Sequence, residues 1–315
     1  GVSRMQETAR YAMSVIEPDV RMSNFWGLLK GAGALTGQAL QTAAAAPVAP
    51  GAAANICGTN FAVDLSTNLQ GDNNSYVLSP TRQPGCDNLF DLDANSGATW
   101  PTTAVITADT LTVRRASVFT NAVPTANVLE VCTTRISGKV QSDISACTAV
   151  PFGQLSNLIV DTYYIDQNST QQAGLPALRR KTFSIGGILQ FVDQEIIAGV
   201  EDMQVQFGID PTANTGIATR YVNPNAVPAT AQIVAVRIWL LVRADTAEQS
   251  FTDNRIYEYG DRLQATGVTG DLNSAAGAGM AYQPSLNPDA TLQGPRHARR
   301  LLISRTIMVR NALGT

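Results

Sequence analysis

Residues 232–243, QIVAVRIWLLVR, constrain the fold more than any other stretch of this chain. In a strand, Val234, Val236, Ile238, Leu240 and Val242 face one side, and Trp239 and Leu241 face the other. A strand that is apolar on both faces is a central one, with neighbours at both edges. Other strand-like runs surround it in sequence: residues 110–119, 126–132, 157–166, 178–185, 189–192, 203–209 and 299–310. These runs are rich in β-branched and aromatic residues or alternate apolar with polar ones. Residues 194–199 read as a helical turn, and residues 221–230, with three Asn/Pro turn signals, as a loop.

The beginning of the chain has a different period. Across residues 4–26, RMQETARYAMSVIEPDVRMSNFW, the apolar positions Met5, Ala9, Ala12, Val15 and Ile16 recur every three or four residues, continuing from Val2. Arg4, Gln6, Glu7 and Arg10 occupy the opposite side. That pattern predicts an amphipathic helix lying on something. One reading is the lower half of a longer stalk helix, and the other is the first helix of an ordinary globular domain. Pro18 is expected to bend or end it. The fold class expected is α+β, with this helix packed on antiparallel sheet and long loops. Three regions follow: residues 1–26 as the helix, 27–100 as a loop-rich insertion, and 101–315 as a β-rich head. The insertion contains an Ala-rich tract, residues 31–54. Residues 265–295, rich in Gly, Ala, Asn and Pro, are expected to be mobile.

Composition narrows the function. Of 315 residues, 22 are basic and 25 acidic, and only 15% are charged. The short basic run at residues 296–300 is too small for a nucleic-acid footprint, so no nucleic-acid partner is expected. A surface filled by Ala, Gly, Thr, Asn and Gln suits an exported protein or an assembly subunit. Cys57, Cys86, Cys132 and Cys147 have no CxxC spacing, and His297 is the single histidine, which argues against zinc. Two disulfides in an oxidising compartment are the better reading. Chain order favours Cys57–Cys86 and Cys132–Cys147 among three possible connectivities. Asp91, Asp93 and Asn95 place oxygens at alternate positions, as at the start of a calcium loop. Ser96 stands where such a loop needs Gly and Thr102 where it needs Glu, so a polar turn is the simpler reading and calcium the alternative. No other cofactor is indicated. GxSxG, P-loop and HExxH motifs are missing. His297, in a basic stretch, is expected to be solvated. Asp161, Asp166, Asp193, Glu195, Glu201 and Asp202 are expected to be solvated at strand ends, unless two of them meet in a cleft as a hydrolase would need. Assembly or binding, not catalysis, is the expected role.

Three segments together resemble the PilW family of minor type IV pilins. They are RYAMSVIEPDVRMSNFWG at residues 10–27; TYYIDQNS and LPALRR followed by EIIAGVEDMQVQFGID within residues 162–210; and VAVRIWLLVRA with ARRLLISRTIMVRNAL near the end. Their order and spacing carry the resemblance more than any one of them. The resemblance implies a helix-on-sheet pilin layout like that of the J-type pseudopilins of type II secretion. It also implies a membrane half of the first helix preceding Gly1, an inner-membrane anchor with a periplasmic head, and later a place in the extracellular pilus. The implied partners are other minor pilins and the major pilin through the N-terminal helix, and a tip adhesin. The implied role is priming of pilus assembly at the tip, in support of adhesion and motility. Arg10, Glu17 and Asp19 are the candidate helix residues for contacts with other subunits, with a solvated polar face as the simpler reading. The alternative is a secreted β-rich, calcium-dependent binding or adhesin module.

Overall fold

A computed structural model describes residues 1–37, 65–74, 105, 107–125, 128–141, 153–183, 191–212, 215–288 and 295–312. One helix, α1 (Val2–Arg21), is followed by the short strands β1 (Leu35–Thr36) and β2 (Leu69–Gln70). Then come β3 (Leu111–Thr120), β4 (Glu130–Thr133), β5 (Gly138–Gln141), β6 (Gln154–Asp166), β7 (Ala177–Phe183) and β8 (Phe191–Ala198). The remainder holds β9 (Val200–Asp210), β10 (Arg220–Val222), β11 (Gln232–Ala247), β12 (Leu263–Thr269), β13 (Met280–Tyr282) and β14 (Ala298–Met308). The fold is α+β, as the sequence predicts.

Two sheets share the core. In the larger, β6 is the hub: β3 runs along one edge, and β4 and β7 divide the other. In the smaller, the order is β10-β9-β11-β14, antiparallel throughout. The expected central strand is therefore central, flanked by β9 and β14, with Val234, Val236, Ile238, Leu240 and Val242 all buried.

One residue joins the sheets. Gly199 alone separates β8 from β9, at φ +98°. Its N–H donates to Pro176 O at 2.6 Å, just before β7, and its carbonyl accepts from Arg243 N at 2.8 Å, in β11. The chain thus changes sheets at a bend that is hydrogen-bonded to both. A side chain there would meet Arg243 O at 3.3 Å, in backbone that favours glycine.

Helix α1 lies over this junction, against β8, β11 and β14. Met5, Ala9, Ala12, Met13, Ile16 and Val20 enter the common core with Val205, Ile238, Leu240 and Ile307. Pro18 is exposed in the last turn and the helix runs only to Arg21 beyond it. A proline so close to the end removes one hydrogen bond from a turn that is ending anyway. Downstream, Asn24 N donates to Arg114 O at 3.3 Å and Ala116 N to Phe25 O at 2.6 Å, which lays the chain beside β3. The described parts of residues 27–100 join the larger sheet: β1 pairs with β5, and β2 with β3.

Three expectations are corrected. Residues 194–199 are not a helical turn: residues 194–198 are the second half of β8, paired with β7 across one bulge, and Gly199 is the bend after it. Residues 221–230 are not plain loop: they include part of β10 and a 3-10 turn, Pro224–Ala226. The described part of residues 265–295 is ordered, not mobile: β12 pairs with β13, and Leu272 and Tyr282 are buried. The sparse apolar residues there are enough because polar ones tie down the backbone, as where Thr107 Oγ1 donates to Leu272 O at 2.6 Å.

Gly199→Val is expected to destabilise the protein by roughly 1–3 kcal/mol. Urea unfolding checks it, and an unchanged midpoint would show that the bend tolerates ordinary side chains.

Candidate assembly site on the N-terminal helix

The helix has one buried and one open side. Glu7, Arg10, Tyr11 and Ser14 are exposed, with Tyr11 52% accessible. Of the three residues expected to contact other subunits, only Arg10 stands fully exposed. Glu17 is half-buried and paired within the chain, to Arg21 one turn on and to Arg305 of β14 at 3.0 Å. Near the start, Arg4 pairs with Asp245 of β11.

Asp19 is a correction. It points inward, 4% exposed, and is unavailable to another subunit. Its Oδ1 accepts from Arg115 Nε at 2.9 Å and Nη2 at 2.6 Å, and its Oδ2 from the Tyr163 hydroxyl at 2.5 Å. Arg115 belongs to β3 and Tyr163 to β6, so one carboxylate fixes the end of the helix to two strands of the larger sheet. Asp161, two residues before Tyr163 on the same face of β6, lies within hydrogen-bonding reach of Asp19. Burial, and then the neighbouring Asp19 charge, raise the Asp161 carboxyl to about 8. Arg180 of β7, at 3.6 Å, and Thr182 oppose this without reversing it. Burial and Asp19 also push the Tyr163 hydroxyl up, so it stays a donor.

Of the other five carboxylates, Asp193 and Glu195 share Arg179, and none is simply solvated as expected. Asp193 accepts from Arg179 Nε at 2.7 Å and from the Tyr164 hydroxyl at 2.8 Å. Glu195 accepts from Arg179 Nη1 at 3.2 Å and Ser169 Oγ at 2.5 Å. Glu201 takes Arg300 through both oxygens, at 2.5 and 2.9 Å, and Asp202 takes Arg262 Nε at 2.6 Å with the Tyr259 hydroxyl at 2.5 Å. Burial works to raise Glu201, but the Arg300 guanidinium outweighs it and the carboxyl sits below its ordinary range. Asp166 accepts from Asn168 N at 2.8 Å, closing the turn after β6. Asp19 and Asp161, the two carboxylates drawn together without a cation between them, are both closed off from solvent, which leaves no room for a substrate at that pair.

His297 is also corrected: it is buried, with Nδ1 2.7 Å from Phe251 O and Arg296 Nε donating to its Nε2 at 3.1 Å. Cys132 is disulfide-bonded. Cys57, Cys86 and Cys147, and the calcium candidates Asp91, Asp93 and Asn95, lie outside the described residues. Sequence reasoning missed Arg115, Tyr163, Arg179, Arg262 and Arg300. The signal was there in charged residues set inside strands, such as Arg179, Arg180 and Lys181 in β7 opposite Asp193 and Glu195 in β8.

Residues 162–311 match the family model described as type IV pilus-assembly protein W. This region is similar to the PilW family. The match takes in the end of β6, from Thr162, and every later strand, so the matched region contains Tyr163, the Arg179 cluster, Gly199 and both buried arginines. Among solved structures, a type IV-like pilin from Thermus thermophilus is similar at 13% identity, over 65% of this chain and 79% of that one, with a TM-score of 0.26. At that score no individual contact transfers between the two. No curated protein matches the chain. Among the described residues, no helix is long and apolar enough to cross a membrane.

Asp161 makes stability depend on pH in a set direction. Between about pH 4 and about pH 8 the folded state holds a proton on Asp161 that the unfolded chain has lost. Stability from this group therefore falls as pH rises through that window and levels off above it. Urea midpoints across the window are expected to decline for the wild type and to decline less for Asp161→Asn. Equal slopes would show that Asp161 is ionised in the folded protein.

Proposed function

We propose that this protein is a structural minor pilin of the type IV pilus, one that joins a minor-pilin complex, primes assembly and sits at the tip. The observation that carries the reading is the pairing of a PilW-family region with a surface helix fixed along one side and open along the other. A pilus-related role follows from the family; the place at the tip, adhesion, motility and membrane anchoring are part of the proposal. A helix held rigidly by the Asp19 cluster, the Glu17–Arg305 pair and the apolar core presents Glu7, Arg10 and Tyr11 without an ordering cost on association. Tyr and Arg are the residue types most often found carrying energy at the centre of a protein interface. On the head, the strongly exposed Phe119 and Ile136 favour further contacts with neighbouring subunits.

The test is co-purification with the organism's other minor pilins, comparing the wild type with a double variant, Arg10→Glu and Tyr11→Ala. The variant is expected to fold normally by circular dichroism and to lose at least about tenfold in complex formation, the loss of one good contact. If wild type and variant capture their partners equally, this helix face is not the assembly surface.

A further inference from the structure

Strand β14 stands at one edge of the smaller sheet and pairs with β11 alone. It runs for 11 residues, where about 5–6 is usual. Bonds at its two ends fix which backbone groups face β11. Val309 N donates to Val234 O at 3.0 Å, and Arg243 N, opposite Arg300, turns away from β14 to Gly199 O at 2.8 Å. Bonded and outward residues alternate in an antiparallel pair. The odd-numbered residues from Leu301 to Ile307 therefore bond to β11, and the N–H and C=O of Leu302, Ser304, Thr306 and Met308 face outward. Among the described residues, none of these outward groups has a hydrogen-bond partner, and Ser304, Thr306 and Met308 are exposed.

An open edge is a template for another strand, and proteins ordinarily blunt it with proline, a bulge or charge. From Leu301 to Met308, LLISRTIM, there is no proline, and the single charge, Arg305, is drawn to the helix side by Glu17 at 3.0 Å. The register shift in its pairing lies before Arg300 and leaves this stretch regular. Such a stretch is primed for pairing.

Charge selects the partner. The guanidiniums of Arg21, Arg237, Arg305 and Arg310 stand around the second half of the edge: Arg237 Nε reaches Thr306 Oγ1 at 3.4 Å, and Arg310 N donates to Arg21 O at 3.1 Å. Glu17, shared by Arg21 and Arg305, is the described carboxylate that pairs with them. A second copy of β14 laid along the edge would set like charges against each other, which is destabilising. A strand carrying carboxylates answers them.

We propose that the outer edge of β14 takes an added strand from another protein, an extended segment that alternates apolar with acidic residues. Its backbone bonds to Leu302, Ser304, Thr306 and Met308. Its acidic side chains lie beside Arg305 on the helix face of the sheet, and its apolar ones beside Leu302 and Met308 on the other. The surface is separate from the open helix side at Glu7, Arg10 and Tyr11, and the inference does not depend on that side.

The experiment uses the full chain and a short synthetic peptide alternating valine with glutamate. One control peptide has lysine for glutamate, and the other is N-methylated along its backbone and cannot pair. The glutamate peptide is expected to bind saturably by calorimetry and to slow amide exchange at Leu302, Ser304, Thr306 and Met308; both controls are expected to bind at least about tenfold more weakly. Thr306→Pro removes an outward N–H without touching a bond to β11, so it is expected to fold by circular dichroism and to lose at least about tenfold in affinity. Arg310→Glu, which leaves the backbone intact, is expected to weaken the glutamate peptide and strengthen the lysine one. The proposal is overturned if the wild type does not bind the glutamate peptide, if the N-methylated peptide or folded Thr306→Pro binds as well, or if exchange slows elsewhere. It is also overturned if sedimentation shows the wild type pairing with itself through this edge and Thr306→Pro abolishing that, since a second copy is then the occupant.

Discussion

Asp19 is the one acidic residue on the buried side of the helix, and the arrangement of the molecule depends on how it is satisfied. A carboxylate cannot be buried without compensation, and the compensation must be placed to within hydrogen-bond tolerance. Arg115 and Tyr163 provide it from two adjacent strands, so the helix end, β3 and β6 hold one relative position. The apolar stripe from Met5 to Val20 supplies the burial, but an apolar stripe alone can slide and rotate. The ion pair and the hydroxyl fix its register. Asp161 sets a limit on this, because a second carboxyl against the first is tolerated only while it keeps its proton.

The same device recurs within the region that matches the PilW family model. Arg262 and Arg300 are both buried, each bound by a carboxylate and accompanied by a tyrosine: Asp202 with Tyr259, and Glu201 with Tyr282. These pairs fasten the turn before β12, and β13 with the start of β14, to β9, the strand that leaves the bend at Gly199. Buried pairs are weak contributors to net stability but costly to break singly. They explain how the stretch around residues 265–288, with few large apolar side chains, is held as firmly as the strands. Its polar attachments reach Thr107 before β3 and Glu201 of β9, while Leu272 and Tyr282 enter the common core.

This mounting bears directly on assembly. A helix that belongs to its own head along one face, and is open along the other, can meet a second helix without leaving the first contact. The charges nearest the sheet, Glu17 and Arg4, are already paired inside the chain, while the Glu7–Arg10–Tyr11 side stays open. The head is continuous with that mount through Gly199, where the Thr8 methyl of the helix approaches the bend that joins the two sheets. Rigid coupling from helix to head follows from that geometry rather than from any flexible linker.

Local periodicity decided much of this protein. The stripe from Met5 to Ile16 specified a helix with a buried face, and the double-faced apolar run at Val234–Val242 specified a central strand, because side-chain period and burial are properties of neighbouring residues. The order of segments likewise pointed to the PilW family. Sequence could not decide which charges go inside. Asp19 and Glu201 look like surface residues until Arg115, Tyr163 and Arg300 arrive from about 100 or more positions away, and a buried charge is stable only through such partners. The strand identity of residues 194–198 and the order of residues 265–288 were settled the same way, by pairing and polar contacts made across the fold, which no local pattern encodes.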